Sequence, residues 1–153
     1  MVAAKRSILI VDDEFGLAEM LREMLRDTGF EVTLAINGRL ALEILAEAKV
    51  DLVLTDMMMP VMDGAELATA MRRDDKHRAT PIIMMTSLPM TRPQQDGLFD
   101  AVLRKPFTPD LLLRTMVSCL PDIEEDAAER SSSRERPADK GATEKGDSRS
   151  SAQ

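Results

Sequence analysis

The side chains best suited to chemistry in this sequence follow short apolar segments. Asp12 and Asp13 come directly after SILIV, and Asp56 follows VDLVLT. Thr86 follows PIIMM, and Lys105 follows AVLR. If these segments are parallel strands of one sheet, their polar ends meet at its carboxyl edge, where open α/β sheets bind ligands. The sequence therefore predicts that three carboxylates, a hydroxyl and an ammonium group converge on one site.

Such a cluster favours one kind of chemistry. Carboxylates held close together repel one another unless a cation is present. A hard divalent ion resolves this repulsion, and Mg²⁺ suits two or three carboxylates with bound waters. Lys105 supplies a point charge suited to a phosphoryl group, and Thr86 supplies a hydroxyl that can bond an added oxygen. A carboxylate nucleophile, Mg²⁺ and a lysine together favour phosphoryl transfer to a carboxylate.

Apolar runs alternate with helical patterns along residues 1–121, which we predict to form one domain. Asn37 and Asp63 are typical helix N-caps, Thr108 followed by proline predicts another helix start, and Gly29 is typical of a C′ position. About five repeated β-α units predict an α/β fold with a doubly wound, five-stranded parallel sheet. The predicted strands are residues 7–11, 30–35, 50–55, 81–85 and 101–104, with 30–35 at an edge.

Composition limits the classes of function. The net charge of −7 disfavours nucleic-acid binding, since such domains usually carry a basic face. Cys119, the single cysteine, excludes an intramolecular disulfide. No apolar run reaches the roughly 18–20 residues needed to span a bilayer, so we expect no membrane partner and a cytoplasmic location. Residues 122–153 contain one large apolar side chain, Ile123, and we predict a disordered polar tail.

Four motifs, ILIVDDE, LVLTDMMMPVMDG, PIIMMTS and LRKPF, occur in this order at compatible spacing. Together they resemble the receiver domain of two-component response regulators, over roughly residues 6–120. The resemblance implies a flavodoxin-like fold with strand order 2-1-3-4-5. The expected function is that of a stand-alone, chemotaxis-regulator-like receiver. Such a protein is a signalling phosphoacceptor that catalyses only its own phosphorylation and dephosphorylation, and is not otherwise an enzyme.

The resemblance also implies a role for each acid. Asp56 is the expected phosphoacceptor, and its donor is a phosphohistidine on a histidine kinase or a histidine phosphotransfer protein. Asp12 and Asp13 are expected to hold Mg²⁺ together with Asp56 and the backbone carbonyl of Met58. The expected output is a changed interaction with a downstream protein whose identity the sequence does not give.

Three further positions follow from the same resemblance. Lys105 is expected to pair with the phosphoryl group, and the bond between Lys105 and Pro106 is expected to be cis. Thr86 is expected to be the switch hydroxyl that moves toward a phosphoryl oxygen.

The sequence departs from its family in two places. The family usually has an aromatic residue three positions before the lysine, where this chain has Val102, and Phe99 does not occupy the matching position. The segment between the fourth and fifth strands is short and contains Pro89 and Pro93. Because proline disrupts a helix interior, we predict that the fourth helix of the family is short or irregular here.

Two alternative functions remain open beside that of a phosphoacceptor. Val102 and the short segment favour a constitutive interaction module that keeps the receiver fold with little or no switching. A hydrolase of small phosphomonoesters is disfavoured, because such enzymes usually place two acids two positions apart after the first strand. Here Asp12 and Asp13 are adjacent. His77, in the polar segment RRDDKHRAT, is predicted to be a solvated loop residue.

Overall fold

A computed structural model describes residues 5–89 and 97–120 of the 153-residue chain. Within these residues five strands form a parallel sheet with the strand order β2-β1-β3-β4-β5, and four helices connect or follow the strands. This confirms the predicted doubly wound fold and its order. The strands are β1 Ser7–Val11, β2 Glu31–Ala35, β3 Leu52–Asp56, β4 Ile82–Thr86 and β5 Ala101–Arg104; the helices are α1 Phe15–Asp27, α2 Gly38–Glu47, α3 Gly64–Arg73 and α4 Pro109–Cys119.

The helix ends follow local sequence signals. Asn37, Asp63 and Thr108 each accept a hydrogen bond from the backbone N–H three residues further on, as predicted for N-caps. Pro109 occupies the first position of α4, where a missing N–H costs nothing. Gly29 follows α1 with φ of 109°, a left-handed conformation that glycine adopts without a Cβ penalty.

Apolar side chains cover both faces of the sheet. One cluster joins strand residues such as Leu9, Val11 and Val53 to buried residues of α2 and α3, including Leu45 and Leu67. Since neighbouring strand residues point to opposite faces, the residues that alternate with these face the other layer. That layer is supplied by buried residues of α1 and α4, namely Ala18, Leu21, Leu25, Leu112 and Met116.

His77 corrects one prediction, because its side chain is buried and not solvated. Its ring Nε2 lies 2.7 Å from the backbone oxygen of Leu45, and Nδ1 lies 3.3 Å from the hydroxyl of Thr80. The neighbouring Lys76 donates to the oxygen of Ala46 at 3.2 Å. The connection after α3 therefore binds carbonyl groups in the last turn of α2, which has no basic residue of its own there.

Two predictions fall on residues outside the described ranges. The short or irregular helix between β4 and β5 concerns mainly residues 90–96, while the described remainder of this connection, 87–89 and 97–100, contains no helix. The disordered tail at 122–153 and the domain boundary before it stay predictions. None of the helices in the described ranges is long and apolar enough to cross a membrane.

Candidate functional site at the carboxyl edge of the sheet

The carboxyl ends of β1 and β3 bring three acids together. Asp12 and Asp13 follow β1 directly, and Asp56 is the last residue of β3. One carboxylate oxygen from each of the three lies within 4.8 Å of the others. Asp12 and Asp56 are buried, whereas Asp13 is exposed. The predicted convergence of the three carboxylates is thus present, with one acid facing solvent.

Lys105 joins this cluster from the end of the edge strand β5. Its Nζ lies 3.2 Å from Oδ2 of Asp12 and 3.4 Å from Oδ1 of Asp56. It is held there because β5 ends at Arg104, directly before it, and because its backbone N–H donates to the oxygen of Thr86 at 2.8 Å. The bond from Lys105 to Pro106 is cis. One ammonium group therefore bridges the two buried carboxylates.

Burial and mutual repulsion change the acidity of this cluster. Burial raises the pKa of the Asp56 carboxyl, and the carboxylate of Asp12 raises it further. Lys105 and the backbone N–H of Met57 act in the opposite direction, without restoring the ordinary pKa. For Lys105, burial lowers the pKa, but Asp12, Asp56 and Glu14 outweigh it, so the pKa is raised. The cluster therefore has an excess of negative charge that one lysine does not balance.

Backbone groups fix the two buried acids. Oδ1 of Asp12 accepts from the N–H of Glu14 at 2.9 Å, and Oδ1 of Asp56 accepts from Met57 at 3.0 Å. Both hydrogen bonds are local, so the loop after β1 orients Asp12 and the loop after β3 orients Asp56. The same carboxylate oxygen of Asp56 also faces Lys105. The acids are thereby oriented before any ligand arrives.

Thr86 and Met58 lie where the sequence predicted, at the ends of β4 and β3. Thr86 is buried, and its hydroxyl oxygen accepts from the N–H of Leu88 at 3.0 Å. Met58 follows Asp56 by two residues, and its side chain is exposed. Val102, in the edge strand β5, is 38% exposed, whereas Phe99 packs against the core cluster. The aromatic side chain nearest in sequence to the expected switch position is therefore partly buried against this cluster.

Gly64 is a site residue whose role the sequence did not reveal. A Cβ at this position would lie 2.5 Å from the backbone oxygen of Asp56, so only glycine fits without a shift of the backbone. Its N–H also donates to the oxygen of Met57 at 2.9 Å. The sequence marks Asp63 as a helix N-cap, but the close approach of Gly64 to Asp56 exists only in the folded loop.

Comparison with known proteins identifies the family of this chain. Residues 8–117 match the family model of the response regulator receiver domain. The chain belongs to this family. This confirms the resemblance to the receiver family that the four motifs predicted.

Three similar proteins place this receiver domain among its relatives. Response regulator Rre1 of Synechocystis is 38% identical over 110 residues, which cover 69% of this chain and 48% of that protein. The chemotaxis response regulator CheY4 of Vibrio cholerae is 34% identical with a TM-score of 0.70, covering 76% of this chain and 100% of that one.

The third is the response regulator TrrA of Thermotoga maritima, solved in complex with Mg²⁺-BeF. It is 33% identical with a TM-score of 0.69, covering 75% of this chain and 99% of that chain. The chain spans about half the length of the curated relatives it matches.

Proposed function

We propose that Asp56 accepts a phosphoryl group from a phosphohistidine on a histidine kinase or a histidine phosphotransfer protein, in a Mg²⁺-dependent reaction. The observation that carries this proposal is the position of Lys105. Its ammonium group lies 3.4 Å from Asp56 and 3.2 Å from Asp12, beside three convergent carboxylates. A nucleophilic carboxylate next to a fixed cation is suited to a reaction in which negative charge must approach negative charge.

The donor set fits Mg²⁺. Asp12, Asp13 and Asp56 offer hard oxygen ligands within 4.8 Å of one another, and the pKa of Asp56 is raised by burial and by Asp12. The relative TrrA was solved with Mg²⁺-BeF, which supports the same ion here. We propose that these acids and the backbone carbonyl of Met58 hold the ion. When bound, Mg²⁺ neutralises charge on the carboxylates and on the phosphoryl oxygens.

The residues of this chain then divide the work of transfer. A carboxylate oxygen of Asp56 attacks phosphorus, and the P–N bond of the donor breaks as the new O–P bond forms. The electron pair stays on the donor's imidazole nitrogen, which leaves as a neutral ring because its other nitrogen carries the proton. Lys105 attracts a phosphoryl oxygen as a point charge, and the hydroxyl of Thr86 can donate a hydrogen bond to another.

Signalling follows from the position of the modified residue. The new group places charge next to Lys105 and Thr86, which lie at the carboxyl ends of β5 and β4. We propose that the outcome is a changed interaction with a downstream protein, and that the chain's catalysis is limited to its own phosphorylation and dephosphorylation. Three further expectations stay predictions. They are that the receiver acts without an attached output domain, that it is cytoplasmic, and that it does not bind nucleic acid.

A second function, that of a constitutive interaction module, is favoured by one observation. The family's switch aromatic is replaced by the partly exposed Val102, while Phe99 is partly buried against the core cluster. A module of this kind would keep the fold and bind its partner equally well with and without phosphate. It would not require the pair formed by Lys105 and Asp56.

Labelling with a small acyl phosphate separates the two functions. The chain is incubated with acetyl phosphate and Mg²⁺, and the protein-bound phosphate is tested for stability to acid and lability to base. The phosphoacceptor proposal expects one acid-stable, base-labile phosphate per chain. It also expects none on Asp56→Asn and none when EDTA removes the metal.

The matched control is Asp75→Asn, which removes a carboxylate from an exposed pair with Arg78 far from the acids in sequence. This variant should be labelled like the wild type. No labelling of the wild type, or equal labelling of Asp56→Asn, would contradict the phosphoacceptor proposal and favour the constitutive module.

A further inference from the structure

The guanidinium group of Arg72 binds two connections at the end of the sheet opposite to the acids. Its Nη1 donates to the backbone oxygens of Arg78 and Thr80, at 2.9 and 2.7 Å. Its Nη2 donates to the oxygen of Leu98 at 2.9 Å and to Oδ2 of Asp100 at 2.8 Å. This one side chain therefore ties the residues before β4 to the residues before β5.

Asp100 extends this contact to the first residue of β4. Its Oδ2 accepts from the N–H of Ile82 at 2.8 Å, and its own N–H donates to the oxygen of Ile82 at 2.8 Å. One carboxylate oxygen thus binds both Arg72 and the β4 backbone. We refer to Arg72 and Asp100, with their contacts to these backbone groups, as the Arg72–Asp100 anchor.

The strand that the anchor holds is weakly specified by its apolar side chains. β5 is an edge strand, and Leu103 is the one buried residue among its four. Strand register is set mainly by the burial of an apolar face, and a slip by one residue turns every side chain to the opposite face. Polar contacts at the strand ends are therefore needed to place β5 against β4.

Those contacts lie at both ends of the strand. The anchor holds Asp100 against Ile82, while at the other end the N–H of Lys105 donates to the oxygen of Thr86 at 2.8 Å. Asp100 and Lys105 are five residues apart, which in a strand is about 16 Å. A slip of β5 would displace Lys105 by about 3 Å from the carboxylates it bridges.

We propose that Arg72 and Asp100 are positioning residues for phosphoryl transfer, because they fix the register of β5 and so place Lys105 beside Asp56. This inference rests on the proposed function of Asp56. The acids themselves lie on β1 and β3, whose pairing does not involve the anchor. The anchor therefore acts on Lys105, the phosphoryl side of the site, and leaves the backbone that carries the three acids, the metal side, in place.

The test separates these two sides by three measurements on the full chain. The variants are Arg72→Met, Asp100→Asn and the double variant, and the control is Arg73→Met, which changes the exposed neighbouring arginine. The measurements are the rate of labelling by acetyl phosphate at saturating Mg²⁺, the Mg²⁺ affinity by calorimetry, and hydrogen exchange at the amide of Lys105. All are made where circular dichroism shows each variant folded.

Arg72→Met is expected to slow labelling by about tenfold to a hundredfold, the size of effect that follows a displacement of about 1 Å. Its Mg²⁺ affinity should not fall, because the acids stay in place and a displaced ammonium group competes less for Asp12 and Asp56. The double variant should be no slower than the slower single variant. Arg72→Lys should lie in between, since it keeps the charge pair but lacks the fork that reaches several oxygens.

The inference is overturned if Arg72→Met is labelled at the wild-type rate, or if labelling and Mg²⁺ affinity fall by the same factor, as in general destabilisation. If the wild type is not labelled at all, the proposed function fails, and hydrogen exchange still decides the anchor. Faster exchange at Lys105 with unchanged exchange at Leu9 supports the anchor. Unchanged exchange at both positions refutes it. If Arg72→Met does not fold, Asp100→Asn is measured in its place, because the asparagine keeps an acceptor for the N–H of Ile82.

Discussion

Strands β1 and β3 lie in the centre of the sheet, whereas β5 lies at its edge, and the two regions supply opposite charges to the same site. All of β3 is buried, as are four of the five residues of β1, and these strands carry the acids. β5 has one buried residue and carries Lys105. Each fully buried apolar side chain contributes roughly 1.5–3 kcal/mol, so packing fixes the central strands more firmly than it fixes β5.

The difference shows how the two sides of the site are positioned. On the metal side, Asp12 and Asp56 need only local bonds to the N–H groups of Glu14 and Met57, because the core already places their strands. On the phosphoryl side, the position of Lys105 depends on polar contacts between distant residues. Substitutions should therefore change Mg²⁺ binding and the rate of phosphoryl transfer separately.

The largest expected effect is on the metal side, at Gly64. Gly64→Ala places a Cβ 2.5 Å from the backbone oxygen of Asp56, so the loop after β3 must shift. We expect the free energy of unfolding in urea to fall by about 3 kcal/mol, the upper range for overpacking. Gly16→Ala is the control, since a Cβ there meets nothing within 4 Å, and it should cause no loss. Equal effects of the two substitutions would refute the close approach to Asp56.

Lys105 tests the phosphoryl side directly. Lys105→Met should slow labelling by acetyl phosphate about a hundredfold, since it removes the fixed cation next to Asp56. The same variant should bind Mg²⁺ more tightly in calorimetry, because an ammonium group no longer competes for Asp12 and Asp56. Lys49→Met, at an exposed lysine, is the control. If labelling and Mg²⁺ affinity fell together, the two sides would not be separable.

His77 lies outside both sides and measures what a buried polar contact contributes to this fold. His77→Ala removes a contact of 2.7 Å to the oxygen of Leu45 and leaves that buried carbonyl without its donor. We expect a loss of about 2 kcal/mol in the free energy of unfolding, with Mg²⁺ affinity unchanged. Lys76→Ala, at the exposed neighbour, should cost less than about 0.5 kcal/mol. Similar small losses from both would mean that the histidine contact adds little.

The smallest expected effect is the stability gain on neutralising Asp56. Its folded-state pKa is raised, so without metal its charge destabilises the fold. This destabilisation is absent at pH values below the pKa of Asp56 in the unfolded chain. It grows as the pH rises above that value and is complete once the pH has passed the pKa of Asp56 in the folded chain. Asp56→Asn should therefore be more stable than the wild type at pH 7 in EDTA. The difference should shrink on acidification and on addition of Mg²⁺ to the wild type. A less stable Asp56→Asn at pH 7 would contradict the raised pKa.

The sequence predicted the parts of the molecule that local signals determine. The strands before Asp12, Asp56, Thr86 and Lys105 are present within one or two residues of the predicted bounds, because runs of buried apolar residues specify them. Asp56 itself belongs to β3, paired with Met85, although the predicted strand ended one residue earlier. A boundary of this kind depends on pairing with a neighbouring strand and not on residue type.

Contacts between distant residues away from the carboxyl ends of the strands were not predictable. His77 has polar neighbours in sequence and was predicted to be solvated, yet it is buried against a carbonyl 32 residues away. Arg72 and Asp100 are 28 residues apart, and neither carries a local signal for pairing. The close approach of Gly64 to Asp56 likewise exists only after the loop has folded. Polar contacts of this type depend on the sheet that local patterns build.

The central claim, that Asp56 receives the phosphoryl group, is tested most directly by chemical mapping. The chain is labelled with acetyl phosphate and Mg²⁺, treated with borohydride, which reduces an aspartyl phosphate to homoserine, and digested for mass spectrometry. If Asp56 is the phosphoacceptor, homoserine is found at position 56 alone. Homoserine at position 12, 13 or 63, or no homoserine in a chain that binds Mg²⁺, would contradict it.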